Sequence, residues 1–574
     1  MAMNNLKSRI IHIGNLPLGG NHPVRIQSMT STNTMDTEAT VAQSIRMIEA
    51  GCEIVRITAP GVKEAENLAE IKKELKKRGY EVPLIADIHY QPKAAEISAR
   101  IVEKVRINPG NYVDRKKGKI QYTDSEYQAE IEKIRERIKP LINICKENGT
   151  ALRIGSNHGS LSERILLKYG DTPAGMVESA LEFVRICRDL DFHNIVLSMK
   201  ASNVRVMVQA NRLLVQRMME ENMDYPIHLG VTEAGDGEDG RMKSAAGIGP
   251  LLEEGIGDTV RVSLTEEPEN EIPVAKRLVR KANFYRSSGR IPKSDNQPFD
   301  PFIYSRRKTE TTGQMGGDQP PVVTLSSKDK KSGFSKDFIP DYFFNLQTGL
   351  LEQTYGNRLL KPAFISSPNS FETAFTKETK PDVFIFDISN VSRLSEVYEW
   401  FQLLDQSENK KPVILKKHFG SLETEDMLIK AAAELGYFLV DGLGDGIWLG
   451  SKTTSPEKLA EISFGILQAT RSRMTKTEFI ACPSCGRTLF NIQETLQRIK
   501  QKTGHLKGLK IGVMGCCVNG PGEMADADYG YVGAGRGKVT LYKQKKIVEH
   551  NIPEEQAIDE LIHLIKLHGD WMEK

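Results

Sequence analysis

From residue 24 to about residue 280, short apolar runs alternate with longer stretches whose apolar residues recur every three or four positions. The runs VRIQS (24–28), EIVRIT (53–58), PLIAD (83–87), KVRIN (104–108), ALRIG (151–155), NIVLSMK (194–200), PIHLGVTE (226–233) and DTVRVS (258–263) read as strands. Helical stretches such as ENLAEIKKELKKRG (66–79) and VESALEFVRICRDL (177–190) separate most of them. That alternation is the mark of a parallel α/β fold. Eight βα units in about 260 residues predict a TIM (β/α)8 barrel, placed over residues 1–282.

The polar residues of these runs gather near their C-terminal ends: Arg56, Asp87, Arg106, Arg153, Lys200, Glu233, Arg261 and Ser263. A TIM barrel carries its active site at that end, so four Arg, one Lys and two carboxylates would share one face. Taken singly, each charge is as well explained by a local pair at the barrel rim. Five cations at equivalent ends of five strands are harder to explain that way, because bringing them together without a counter-anion is costly. The planar, two-pronged donors of Arg suit phosphate oxygens, and the expected guest is a small diphosphate or bisphosphate. The segment SNHGSLS (156–162) puts Asn157 and His158 on a loop after the fifth strand. There they would either cap the next helix or donate to the ligand.

Residues 283–322 turn to Pro, Gly, Ser and charge, a composition that predicts a linker. Beyond it PVVTLSS, PAFISS, PDVFIFDIS and PVILKKHF return as strands, interleaved with helices such as TEDMLIKAAAELG, so 323–472 reads as an inserted α/β domain. KSAAGIGPLLEEGIGD (243–258) aligns without a gap to KAAAELGYFLVDGLGD (430–445), identical at eight of sixteen positions. Helix–glycine–strand segments recur in α/β folds, so the match has two readings, recurrence or internal duplication. Under duplication the inserted domain is a degenerate barrel in which Trp448 stands for Arg261 and Gly450 for Ser263. It would then be a structural spacer without an active site of its own.

The last stretch, 473–574, carries CPSCGR and GCCVNGPGE. Cys482, Cys485, Cys516 and Glu523, on turns rich in Gly and Pro, look like ligands of one metal centre. A carboxylate is a more exchangeable partner for iron than a thiolate, so three thiolates and one replaceable ligand can open a coordination position for substrate. Adjacent cysteines seldom both reach one ion, which makes Cys517 a neighbour. A structural zinc site normally takes a second close pair of Cys or His ligands, and a thioredoxin-like pair would leave Cys516 and the NGPGE turn without a role. The set suits a [4Fe–4S] cluster best, with zinc as the rival. Cys52, Cys145 and Cys187 lie in apolar patterns and read as buried structural thiols. GAGRG (533–537) and GLGDG (442–446) lack the strand–GxGxxG–helix context and read as tight turns. With no dinucleotide fingerprint, electrons are expected from an outside donor.

Composition narrows this further. The chain has 574 residues, 27% of them charged, and a net charge of +3, an ordinary soluble surface that gives no reason to invoke nucleic acid or membrane. It has no run of eighteen apolar residues, and MAMNNLKSRI lacks the apolar segment of a signal peptide. Seven cysteines in so long a chain do not make a disulfide framework. A cytoplasmic protein with free thiolates is the expectation.

The strings VRIQSMTSTNTMDTEAT, LIADIHY, VRINPGN, RIGSNHGSL, SMKAS, HLGVTEAG, EGIGDTVRVSL, ACPSCGR and GCCVNGPGE, in this order, closely resemble the 4-hydroxy-3-methylbut-2-enyl diphosphate synthase family over roughly 10–280 and 475–550. The middle domain resembles that of the family's long, three-domain form. The resemblance implies a [4Fe–4S] oxidoreductase of the non-mevalonate isoprenoid pathway. Such an enzyme reductively opens 2-C-methyl-D-erythritol 2,4-cyclodiphosphate and removes a hydroxyl as water. It further implies cluster ligation by Cys482, Cys485, Cys516 and Glu523. Arg56, Arg106, Arg153, Lys200, Arg261 and Ser263 would hold the diphosphate. Asp87, Asn157, Glu233 and Asn519 would surround the substrate's hydroxyls and the cluster face. Glu233 is the candidate proton donor, ahead of Asp87 and Glu523. Ferredoxin or flavodoxin would supply electrons, and a homodimer is possible, as in short-form relatives, whose chains share the site. Two other classes fit the residues alone: a phosphosugar aldolase or isomerase braced by zinc, and an iron–sulfur sensor that binds a phosphorylated metabolite without converting it.

Overall fold

The computed structural model describes residues 7–113, 118–287, 299–330, 333–374, 380–518 and 520–573. These fall into two compact units. One is drawn from Leu6–Ser244, Gly255–Ile291 and Lys476–Lys574, the other from Ala245–Glu254 and Pro292–Thr475.

The first unit begins with a hairpin absent from the strand expectations, β1 (Ile11–Ile13) and β2 (Leu16–Leu18). Eight parallel strands follow: β3 (Arg25–Met29), β4 (Ile54–Thr58), β5 (Leu84–Asp87), β6 (Lys104–Ile107), β7 (Ala151–Asn157), β8 (Ile195–Lys200), β9 (His228–Leu229) and β10 (Thr259–Val260). Their order is β8-β7-β6-β5-β4-β3-β10-β9, and a parallel bridge between Leu197 and Ile227 brings the last strand back to the first. The eight runs read from the sequence are therefore the eight staves of a TIM barrel. The hairpin supplies its floor, where Ile11, Ile13 and Leu18 pack with Ile54, Ile85, Ala151 and Val196. Two expected strands, PIHLGVTE and DTVRVS, shrink to two residues each, because the chain beyond them leaves the ladder to build the site. ALRIG instead extends to Asn157, so Asn157 is a strand residue and not part of a loop.

In the same unit, residues 476–574 form a five-stranded sheet in sequence order: β11 (Glu478–Ala481), β12 (Lys510–Met514), β13 (Tyr529–Gly535), β14 (Lys538–Lys543) and β15 (Lys546–Pro553). The first three are parallel and the rest antiparallel. The helix Ile492–Thr503 starts at Asn491, whose side chain accepts from the Glu494 N–H. Its residues Ile492, Leu496 and Ile499, three or four apart, close over Val513, Tyr529 and Leu541 of the sheet.

The second unit holds another eight-stranded sheet: β16 (Val322–Ser326), β17 (Tyr342–Phe344), β18 (Leu351–Gln353), β19 (Leu359–Leu360), β20 (Pro362–Ile365), β21 (Val383–Asp387), β22 (Val413–His418) and β23 (Gly446–Gly450). Its order is β19-β18-β17-β16-β23-β22-β21-β20, with β17, β18 and β19 forming an antiparallel meander. The two repeat segments occupy matching places. Helix Gly237–Glu253 precedes β10, which pairs with β3, the first stave, through Thr259 and Arg25. Helix Thr424–Leu439 precedes β23, which pairs with β16, the first strand of the second sheet, through Gly446 and Val322. Thr259 and Gly446 are equivalent in the ungapped alignment. Residues 299–321 are tied down by Asp445, which accepts from Arg306 at 2.9 Å and from the Thr309 hydroxyl at 3.0 Å. The expected linker also overlaps the end of the helix Glu271–Ser287, and its residues 288–298 lie outside the described ones.

At the C-terminal ends of this second sheet, Phe344 lies 5.2 Å from Trp448 and 5.4 Å from Phe364 between ring centroids. Lys416 Nζ sits 4.9 Å from the Trp448 centroid and 2.7 Å from Asp387. Aromatic packing fills the end at which the first sheet gathers its cations.

If the hairpin floor closes the first barrel, Ile13→Ala should lower stability by about 2–5 kcal/mol, since Ile13 is fully buried. A urea melt checks this; an unchanged midpoint would show that the hairpin does not brace the barrel.

Candidate active site

Strand pairing explains how cysteines thirty-one residues apart come together. β11 ends at Ala481 and β12 at Met514; they run parallel with Ala481 opposite Val513, and the Cys482 N–H donates to Val513 O at 3.2 Å. The turns that follow, CPSC and GCC, therefore leave the sheet side by side. Cys482 Sγ accepts from the Gly515 N–H at 3.3 Å. Ser484, between the first two cysteines, has φ +70°, a left-handed conformation unusual for a residue with a Cβ.

This edge of the small domain faces the C-terminal ends of the barrel strands in the same chain. Ala234 bridges Ala481, and the Thr265 hydroxyl donates to Ala481 O and Cys482 O at 3.2 and 3.1 Å. Ser202 donates to Asp526 at 2.9 Å, and the buried Lys243–Glu478 pair closes at 2.7 Å. Gly159 (φ +78°) lies so close to Gly522 that a Cβ there would meet the Gly522 carbonyl oxygen at 2.1 Å. Glycine is required on geometric grounds at that contact.

One cavity is lined from both sides. The barrel contributes Arg56, Asp87, His89, Arg106, Arg153, Asn157, Lys200, Glu233, Arg261 and Ser263; the small domain contributes Cys482, Cys485, Arg487 and Cys516. Twelve of the fifteen residues singled out from the sequence thus meet there. Of the other three, His158 turns away, its Nε2 lying 3.2 Å from Asp171 O and 3.5 Å from the Asp171 carboxylate, so it braces a loop. Glu523 closes the short helical turn Gly520–Glu523 and shares a hydrogen bond with Glu233. Asn519 lies outside the described residues.

Charge at the cavity is unbalanced. Asp87 lies 3.1 Å from Arg106 and 3.9 Å from Arg56. Burial alone would raise its carboxyl, but these two guanidinium groups hold it well below the usual carboxylate range. Arg261 is held two-pronged by Glu271 at 3.1 and 3.0 Å. For Arg153 and Lys200, burial and the surrounding arginines push both pKa values down. Among the described residues, Arg153 Nε and Nη1 and Arg106 Nε have no protein hydrogen-bond partner. Gly155 lies between these arginines: a Cβ there would meet Arg106 Nε at 3.1 Å and Arg153 Nε at 3.3 Å. Buried donors aimed into a cavity with too few carboxylates are what an anion site presents.

Glu233 sits at φ +47°, again left-handed, at the turn where the expected strand PIHLGVTE has already ended. Burial raises its pKa; burial and the Glu233 carboxylate raise that of Glu523 well above its usual value, so the pair holds a proton between them. Burial also raises the thiols of Cys482 and Cys516, and each feels the charge of Cys485. These thiols would take the thiolate form only with a cation to stabilise them. Among the described residues no three His, Cys, Asp or Glu side chains converge closely enough for one metal ion. Cys517 is exposed, whereas Cys52, Cys145 and Cys187 are buried.

Two residues lining the cavity were not singled out from the sequence: His89 and Arg487, inside the quoted strings LIADIHY and ACPSCGR. Lys104, fully buried with no protein partner for Nζ, opens β6 two residues before Arg106 but lies outside that lining. The signal for His89 was available, since it follows Asp87 by two. Arg487 had no periodicity to mark it.

Fold and site together define a TIM-barrel enzyme whose cation-lined mouth is capped by a cysteine-bearing domain of the same chain. The family models agree. "GcpE TIM-barrel domain" matches residues 8–276 and "GcpE protein C-terminal domain" matches 478–567. The chain belongs to the GcpE family. Among similar curated proteins is the 4-hydroxy-3-methylbut-2-en-1-yl diphosphate synthase (flavodoxin) of Bacteroides fragilis, 51% identical over 98% of this chain and 96% of that protein. The Parabacteroides distasonis protein of the same name is 50% identical over 99% of each chain, and that of Akkermansia muciniphila 45% identical over 99% of this chain and 97% of its own. No helix among the described residues is long and apolar enough to cross a membrane.

His89 Nε2 lies 2.8 Å from Arg106 Nη1. Arginine can only donate, so the ring accepts and is neutral. Burial and Arg487 bring the His89 pKa from 6.5 to about 3. The unfolded chain therefore binds the extra proton between these values, and stability should fall as pH drops from about 6.5 toward 3, by a few kcal/mol at most. Denaturant melts across that range should show a shallower slope for His89→Gln; an identical slope would place the titration elsewhere.

Proposed function

We propose that the chain reductively opens 2-C-methyl-D-erythritol 2,4-cyclodiphosphate to 4-hydroxy-3-methylbut-2-enyl diphosphate, using a [4Fe–4S] cluster held by Cys482, Cys485 and Cys516, with Glu523 as an exchangeable fourth ligand. The observation that carries this reading is the single cavity in which five barrel cations face three cysteines. The name shared by the relatives supports the reaction, and its last word supports a flavodoxin as donor. The donor set fits the cluster: two adjacent turns present the three sulfurs, and Glu523 is near enough to the cavity to pair with Glu233.

When bound, the cluster would supply single electrons and a Lewis-acid iron. The residues of the chain do the rest. Arg56, Arg106, Arg153, Lys200 and Arg261 bind the diphosphate, with the Ser263 hydroxyl beside them, and fix the ring beneath the cysteine turns. Asp87, kept ionised by its arginines, orients the cations and accepts from a substrate hydroxyl alongside Asn157, with Asn519 assigned the same surroundings. The small domain excludes water from the cavity. Glu233, sharing a proton with Glu523 in this structure, is placed to deliver it to the departing hydroxyl. Glu523, which holds the proton in this pairing, would pass it to Glu233 on becoming a carboxylate ligand.

The inserted domain, 323–472, is proposed to be a spacer, since Trp448 and its aromatic neighbours occupy the end where Arg261 stands in the first barrel. Inorganic diphosphate should accordingly bind once per chain in calorimetry; a second site would overturn the spacer reading.

Anaerobically purified protein should be brown, contain about four iron and four sulfide per chain, bleach with dithionite and convert the cyclic diphosphate. Cys482→Ser, Cys485→Ser and Cys516→Ser should lose the colour, and Cys517→Ser should keep it. Glu233→Gln should slow turnover by roughly 10²–10⁴-fold with the visible spectrum intact. A colourless zinc protein would favour the aldolase or isomerase class, and a brown protein without turnover would favour a sensor.

A further inference from the structure

We propose that Arg487 is a cation contributed by the C-terminal domain to the barrel's anion site, so that filling that site and seating the CPSC turn are energetically linked. The proposal rests on reading the barrel mouth as a diphosphate site.

Arg487 follows Cys485 by two residues, yet its side chain is only 9% exposed and lines the cavity with the barrel cations. Its Nη2 lies 3.4 Å from Asp87 Oδ2, an ion pair that crosses from the small domain to the barrel. Asp87 is already engaged by Arg106 at 3.1 Å and Arg56 at 3.9 Å. One carboxylate thus serves three guanidinium groups. Nε and Nη1 of Arg487 are buried and have no protein hydrogen-bond partner. The backbone holding it is fixed: a Cβ on Gly486 would meet the Thr32 carbonyl oxygen at 2.7 Å, so the turn rests directly on the barrel. The charge of Arg487 also bears on its surroundings, lowering the pKa values of Arg56, Arg106 and His89.

These facts give the joint an electrostatic direction. Asp87 and the sulfurs of Cys485 and Cys516 attract the guanidinium of Arg487, while Arg56 and Arg106 repel it from the barrel side. A diphosphate among the barrel cations removes that repulsion, because its oxygens take over the arginines and offer acceptors to the free edge of Arg487. Placing the cation on the cysteine-bearing turn makes the seating of that turn respond to the charge bound in the barrel. Burial makes the effect large, since charges in a cavity are poorly screened. Within this scheme Arg487 is a positioning residue, acting on the turn that carries Cys482 and Cys485.

The test uses the anaerobic holoprotein and inorganic diphosphate as an unreactive probe. Hydrogen exchange is followed in peptides covering 479–490, with the helix Glu554–Leu567 as the reference. In the wild type, diphosphate should slow exchange in 479–490 and leave the reference unchanged. In Arg487→Gln that slowing should vanish and diphosphate should bind weaker by on the order of tenfold, while the visible absorption of the cluster is kept. Arg487→Lys, which retains the charge without the planar fork, should recover part of both effects and serves as the second variant if the Gln form does not hold its cluster. Wild-type slowing and wild-type affinity in Arg487→Gln, or in Arg487→Lys where that variant must be used, would overturn the proposal. Failure of diphosphate to bind the wild type would instead overturn the reading of the barrel on which it rests.

Discussion

The structure turns on an excess of positive charge at the barrel mouth. Arg56, Arg106, Arg153, Lys200 and Arg261 converge there, with Asp87 paired to Arg56 and Arg106 and Glu271 to Arg261. In a buried site such an arrangement costs free energy unless an anion completes it. The residues around it serve that cost: Gly155 leaves room between two guanidinium groups, Glu271 anchors Arg261 from behind, and the floor hairpin keeps the lower barrel apolar. Gathering like charges costs stability here, as at other preorganised sites.

A second constraint brings the sulfurs to this charge. Parallel pairing of β11 with β12 puts two turns at one sheet edge, and that edge meets the barrel through backbone and small side chains. Because the contacts include Gly159 against Gly522 and Gly486 against Thr32, the approach is as close as main chains allow. The result is a site divided between an electrostatic floor and a thiol-bearing roof, with the Glu233–Glu523 pair at their meeting point.

The corresponding strand ends of the second unit are filled differently. Trp448 stands at the position equivalent to Arg261 and packs with Phe344 and Phe364, and Lys416, the nearby cation, is neutralised by Asp387. Aromatic contact fills that end without leaving buried charge uncompensated. The strand topology around β23 follows that around β10, while the β17–β19 meander departs from the all-parallel pattern.

Much of this was legible in the chain itself. Eight apolar runs, five of them with cations near their C-terminal ends, determine the barrel and its polarity, because strand periodicity and the direction of βα units follow from local sequence. The spacing of CPSCGR and GCCVNGPGE picked out three sulfurs and an acid, and the ordered motifs pointed to the family. What local sequence leaves open is which of several equivalent polar residues faces which partner. His158 and Asn157 are neighbours in one motif, yet the continuation of β7 to Asn157 points one into the cavity and leaves the other on Asp171. Arg487 carries no periodic signal, and its ion pair exists only because Asp87, four hundred residues upstream, is brought within 3.4 Å. The pairing of Glu233 with Glu523 likewise joins two segments that no spacing rule relates. The sequence by itself determined the elements and the chemical types at their ends. Only the tertiary structure decided the pairings between them, because charge and proton sharing depend on distances of a few ångströms between segments far apart in the chain.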